Sequence, residues 1–128
     1  VNGNPNPKAI FGAWAMDLPV LVPIVMRGPD VSQSTVLLTQ RANHMATHSG
    51  QIAFPGGKVD PSDASRKATA LREAQEEVGL APHHVQVIGE LPVYVTGTSF
   101  IVTPVGASSR NTASPRCSTK IRPIGLLL

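Results

Sequence analysis

One short stretch constrains this chain more than any other. Residues 72–80 read Arg-Glu-Ala-Gln-Glu-Glu-Val-Gly-Leu, with three carboxylates inside five residues of helix-forming sequence. In a helix successive residues turn by about 100°. Glu73 and Glu77 then stand one above the other and Glu76 neighbours Glu73. Leu71, Ala74 and Val78 take a different sector, where they can face a core. Like charges this close repel, by roughly a few tenths of a kcal/mol per exposed pair. A hard divalent cation, Mg²⁺ or Mn²⁺, offsets that repulsion, because such ions take carboxylate oxygens and water. A solvated acidic face would explain the glutamates alone. The flanking residues favour the ion.

Gly56 and Gly57 precede the stretch and let the backbone turn sharply and approach a ligand closely. Asp60 and Asp63 stand where a helix begins, as cap or first-turn acids. Gly79 stands where it should stop, and Arg72 lies beside the acids, able to hold a carboxylate. The spacing predicts a helix over residues 64–78, with a polyanionic metal site on one face.

These residues resemble the Nudix hydrolase box: Gly, five residues, Glu, seven residues, then Arg-Glu-apolar-x-Glu-Glu-x-Gly-apolar. Gly57, Arg72, Glu73, Ala74, Glu76, Glu77, Gly79 and Leu80 match. Asp63 stands where the box has Glu, and eight residues separate it from Arg72. That variant resembles the coenzyme A pyrophosphatase branch. So does the lead-in, Leu37-Leu38-Thr39-Gln40-Arg41 followed by Gly50-Gln51-Ile52-Ala53-Phe54-Pro55-Gly56-Gly57. The resemblance covers residues 18–106. It implies an α+β fold, an α/β/α sandwich around a mixed sheet.

The resemblance also implies hydrolysis of a nucleoside diphosphate linked to another moiety. The expected substrate is coenzyme A or acyl-CoA, giving 3′,5′-ADP and (acyl-)4′-phosphopantetheine. Another nucleotide substrate, or an inactive binding domain of the same shape, stays open. Arg72, Glu73, Glu76 and Glu77 are the expected catalytic residues, the three glutamates holding Mg²⁺ or Mn²⁺. Arg41, Gln51, Gly56 and Gly57 are the expected substrate contacts, and a guanidinium at 41 suits phosphate oxygens.

At 128 residues the chain suffices for one domain with its own core. It has 41% apolar and 15% charged residues, which excludes a disordered polyelectrolyte. A net charge of +3, with no Lys/Arg cluster among aromatics, suits small anions and gives no footprint for nucleic acid. The expected partner is therefore a small nucleotide, with a homodimer allowed. Residues 9–26 are the most apolar run, but Asp17, Pro19 and Pro23 interrupt it, so no membrane span is expected. The start lacks Met and the basic region of a signal peptide. The single Cys117 forms no internal disulfide and fits a reducing, cytoplasmic compartment.

In order, residues 1–17 read as an arm, 18–106 as the Nudix-like domain and 107–128 as a tail. Strands are expected at 19–27, 34–40, 51–54, 85–91 and 98–105. Pro23 inside the first suggests an edge or a bulge. His44 and His48 have the spacing of a zinc pair, but Met45 replaces the glutamate of a zinc protease, which argues against that site. Residues 81–84 read as a loop with His83 and His84 exposed, and 92–97 as a connection. The tail is rich in Ser, Arg and Pro, has no Asp or Glu, and lacks strand alternation. It reads as an atypical or truncated ending.

Overall fold

The computed structural model describes residues 16–26, 34–41, 50–97, 99–110 and 121–127. Seven strands form one mixed sheet: β1 (Met16–Val25), β2 (Thr35–Arg41), β3 (Ile52–Ala53), β4 (Val85–Glu90), β5 (Tyr94–Val95), β6 (Phe100–Ser109) and β7 (Ile121–Leu127). Their β-branched content suits a pleated, packed surface. One α-helix among the described residues, α1 (Arg66–Val78), lies against it. This is the α+β arrangement that the sequence implies.

β1 sits centrally. It runs parallel to β6 over its whole length, from Met16 opposite Phe100 to Val25 opposite Ser109. On its other side it pairs with β2 only at Ile24–Val36 and Val25–Thr35, antiparallel. Beyond that point the two strands part, and the segment after β3 fills the gap. The Leu21 amide donates to the Pro55 carbonyl at 2.8 Å, and the Gly57 amide to the Pro19 carbonyl at 3.2 Å. β4 and β5 pair antiparallel with β6 on its outer side.

The expectation that Pro23 marks an edge or a bulge is therefore corrected: β1 is internal. Alternate residues of a strand aim their amides to opposite sides. Met16 and Met26 donate toward β6, whereas Leu21 donates away from it. Pro19 and Pro23 share Leu21's phase, so their missing donors fall on the side where β1 and β2 have separated. The parallel ladder to β6 loses nothing.

α1 packs through its small and β-branched side. Thr69, Ala70, Ala74 and Val78 are buried. Ala70, Ala74 and Val78 share a core with Leu21, Val25, Leu37, Leu80, Val105 and Ala107, with Leu71 half-buried against it. Each fully buried Leu or Val here contributes roughly 1.5–3 kcal/mol. The helix starts at Arg66, two residues later than expected. Ser65 is its N-cap, with the hydroxyl accepting from the Ala68 amide at 3.1 Å. Asp60 and Asp63 are not caps, and no acid lies in the first turn. Gly79 ends the helix at φ 72°, a left-handed conformation that favours glycine.

Three local expectations change. Residues 82–84 form a 3₁₀ turn (Pro82–His84), and the connection after β4 contains β5. The expected absence of a strand from the tail is corrected as well. β7 pairs antiparallel with β2 at seven positions, from Arg41–Ile121 to Thr35–Leu127. Pro123 and Gly125 conceal this strand in sequence. β7 has only β2 beside it, and an edge position tolerates a proline whose nitrogen faces outward. β6 also continues to Ser109, past the expected boundary at 106.

Candidate active site

Gly56 and Gly57 cross from β3 onto β1 directly beside α1. The Gly56 amide donates to the Glu77 carboxylate at 3.2 Å. A Cβ on Gly57 would lie 2.5–2.7 Å from the Glu73 carboxylate atoms. A Cβ on Gly56 would meet the Pro19 carbonyl and Val20 at 2.6 Å. Neither position admits a side chain unless its neighbours move. The two glycines thus bring main chain against the two carboxylates.

Glu73 and Glu77 form a close pair, each carboxylate in the field of the other. Burial, followed by the negative charge of Glu73, pushes the Glu77 carboxyl up to about 7. Glu73 is also raised, again first by burial, with Arg72 opposing. Two carboxylates in a partly desolvated site lack sufficient positive charge for both to ionise freely.

Beside this pair lies a second cluster with the opposite balance. The Arg72 guanidinium donates to both oxygens of Asp63 at 3.0 Å, a bidentate pair. It also donates to Glu73 at 3.0 Å, to Glu76 at 3.3 Å and to the Lys58 carbonyl at 3.1 Å. Asp63 further accepts from the Thr69 hydroxyl and the Asp60 amide, each at 2.8 Å. Its side chain is 5% exposed. The hydrogen bonds from Arg72, then that from the Asp60 backbone, hold its carboxyl well below the usual carboxylate range. Asp63 in turn holds Arg72 protonated.

The structure brings Glu73, Glu77, Gly56, Gly57 and Arg72 together. It turns Glu76 toward Arg72, with the Glu76 side chain 59% exposed. Among the described residues no group of three or more His, Cys, Asp or Glu side chains converges as a ligand set. Gln51 is exposed just before β3. Arg41 ends β2, but its side chain, together with His44, Met45 and His48, lies outside the described residues. Asp63 is the residue that sequence reasoning assigned wrongly. Its available signal was its place as the box's displaced acid, set against the lone arginine at 72.

A glycine loop gripping a glutamate-bearing helix on a mixed sheet defines a class, and the chain belongs to the NUDIX domain family, whose profile matches residues 17–114. Relatives named "Uncharacterized Nudix hydrolase NudL", from Salmonella paratyphi B and Salmonella newport, are 57% identical over 86 residues. Those residues are 67% of this chain and 43% of each relative, so the chain spans less than half the length of the curated relatives it matches. Among solved structures, the Nudix hydrolase RenU of M. smegmatis is similar at a TM-score of 0.67, with 21% identity over 88% of this chain and 71% of that one. The C. elegans Ap4A hydrolase in its binary complex gives 0.63, with 20% identity over 80% and 73%. The NUDIX domain of Shewanella oneidensis NrtR, in complex with ADP ribose, gives 0.61, with 21% identity over 96% and 78%. Among the described residues no helix is long and apolar enough to cross a membrane.

Proposed function

We propose that this domain hydrolyses the pyrophosphate bond of a nucleoside diphosphate linked to another moiety, with coenzyme A or acyl-CoA as the preferred substrate. The observation that carries this reading is the Glu73–Glu77 pair gripped by residues 56–57. The ADP ribose bound to the NrtR domain shows that the same fold accepts a nucleoside diphosphate-linked ligand. The coenzyme A preference rests on the resemblance through residues 37–41 and 50–57. The products would be 3′,5′-ADP and (acyl-)4′-phosphopantetheine.

The donor set fits Mg²⁺ or Mn²⁺. It is hard and anionic, with Glu77 partly buried beside the Glu73 carboxylate. Glu73 and Glu77 would hold the ion, and Glu76 would join by releasing Arg72. When bound, it would neutralise the diphosphate and the charge developing on the leaving oxygen. The chain's own residues do the rest. Arg72, fixed by Asp63, holds Glu73 in place. The Gly56 amide orients Glu77. The proton of an attacking water would pass to a carboxylate of this site.

The test is metal-dependent hydrolysis of coenzyme A, nucleotide sugars and dinucleoside polyphosphates under equal conditions. Coenzyme A should be cleaved fastest, and a reversed order moves the domain to another branch. No turnover of any diphosphate would favour a second reading, a binding domain.

A further inference from the structure

We propose a second binding site, for a phosphate monoester or inorganic phosphate, in the cavity at the carboxyl ends of β1 and β6. The cavity holds about 500 Å³, within the range of small-molecule sites. It is lined by His83, His84, Gln86, Ser108 and Arg110, all hydrogen-bond donors, and by no carboxylate among the described residues. An arginine and two imidazoles facing one space suit phosphate oxygens. Among the described residues, the side chains of His83, His84 and Arg110 form no ion pair or hydrogen bond, and the two imidazole centroids lie 4.1 Å apart.

The topology also favours a ligand here. β1 and β6 are a parallel pair, and Met26 and Arg110 are the residues that follow their last paired positions. Open sheets place ligands at the carboxyl ends of parallel strands. β4 carries a register shift between Val87 and Gly89, which leaves Ile88 as the extra residue, 68% exposed and on the cavity wall. Bulges re-aim side chains beside sites of this kind. Ile88 and Met26 give the cavity an apolar wall that inorganic phosphate would not use and that the organic part of an ester would. None of the lining residues belongs to the glutamate site, so the inference is independent of which substrate the glutamates act on.

The experiment is an amide-resonance titration of the metal-free chain with inorganic phosphate, AMP and adenosine. Phosphate and AMP should shift residues 83–86 and 108–110, with AMP the tighter of the two. The reverse order assigns the site to the free ion. Arg110→Ala, and separately His83→Ala with His84→Ala, should weaken AMP binding about tenfold, equivalent to about 1.4 kcal/mol. Glu77→Gln should leave it unchanged. These side chains are exposed, so the variants should melt like the parent. Shifts confined to residues 56–57 and 73–77, an unchanged Kd in R110A, or adenosine binding as tightly as AMP would each overturn the proposal.

Discussion

The two carboxylate clusters lie side by side at α1, with Asp63 reaching Arg72 from the turn before the helix, and they differ in charge balance. At Asp63 and Arg72 each charge meets an opposite charge in good geometry, and the acid is held ionised. At Glu73 and Glu77 two acids meet each other, with burial raising both. The first cluster is complete as it stands. The second has no such balance, and on the proposed function a cation would supply it. The difference separates residues that build the site from residues that use it, although all are acids within a short span of sequence. Proximity in sequence would have grouped Glu76 with Glu73 and Glu77, yet Glu76 meets Arg72, which also bonds Glu73 and so joins the two clusters.

The largest expected effect comes from removing a user. Glu77→Gln should lower hydrolysis by about 10²- to 10³-fold at saturating Mg²⁺, measured as initial rate, while the protein stays folded. Near-full turnover in E77Q would end the assignment. Next is the loop that touches the pair. Gly57→Ala puts a methyl where the Glu73 carboxylate lies, and a displacement of about 1 Å can cost about 10²-fold. Comparing kcat with metal affinity in G57A would show whether Glu73 has moved.

Breaking the complete cluster should have a different signature. Asp63→Asn removes the bidentate partner of Arg72. We expect a lower melting temperature and a loss of activity of about 10- to 100-fold, the range seen when outer partners of metal ligands are lost. Unchanged melting in D63N would remove the distinction between the clusters.

The clusters should also respond to pH in opposite windows. The Glu77 carboxyl lies near 7 in the fold, above its ordinary 4.5. Its contribution favours the fold below the unfolded value and is lost as pH rises through 7. The metal-free protein should therefore melt at progressively lower temperature between pH 4.5 and 7. Mg²⁺ should weaken that slope, and Glu77→Gln should reduce it. Asp63 is depressed, so its contribution is present above 3.8 and lost as pH falls below that value. A melting profile from pH 3 to 8 would separate the two. The smallest effect belongs to the cap: Ser65→Ala should cost about 1 kcal/mol in denaturant unfolding, with kcat unchanged.

What sequence could show of this site follows from how local each feature is. The helix, its stop at Gly79 and the stacking of Glu73 on Glu77 depend on a 3.6-residue period and one glycine, so they were readable. The clamp was not. Asp63 reaches Arg72 across the turn that begins the helix, and only the folded turn makes it a partner rather than a cap. Glu76 meets the arginine as its i,i+4 neighbour on the helix, a contact the helical period does allow. In the sheet, β-branched and apolar runs, with alternation at residues 85–91, pointed to β1, β2, β3, β4 and β6. They did not reveal that β1 is internal, because two prolines argue for an edge until their shared phase is known. β7 was missed because Pro123 and Gly125 lower its propensity, and pairing with β2 overrides that.

The parallel pairing of β1 with β6 has a consequence for how the chain folds. Met16 finds Phe100 and Val25 finds Ser109 only after nearly all the intervening chain has been made. During synthesis β1 must wait, apolar and without its main partner. A waiting strand is a template for wrong pairing. Pro19 and Pro23 remove two donors from one of its sides, leaving that side a poor template for a stray strand. The residues that disguised β1 as an edge would thus protect it while it is one.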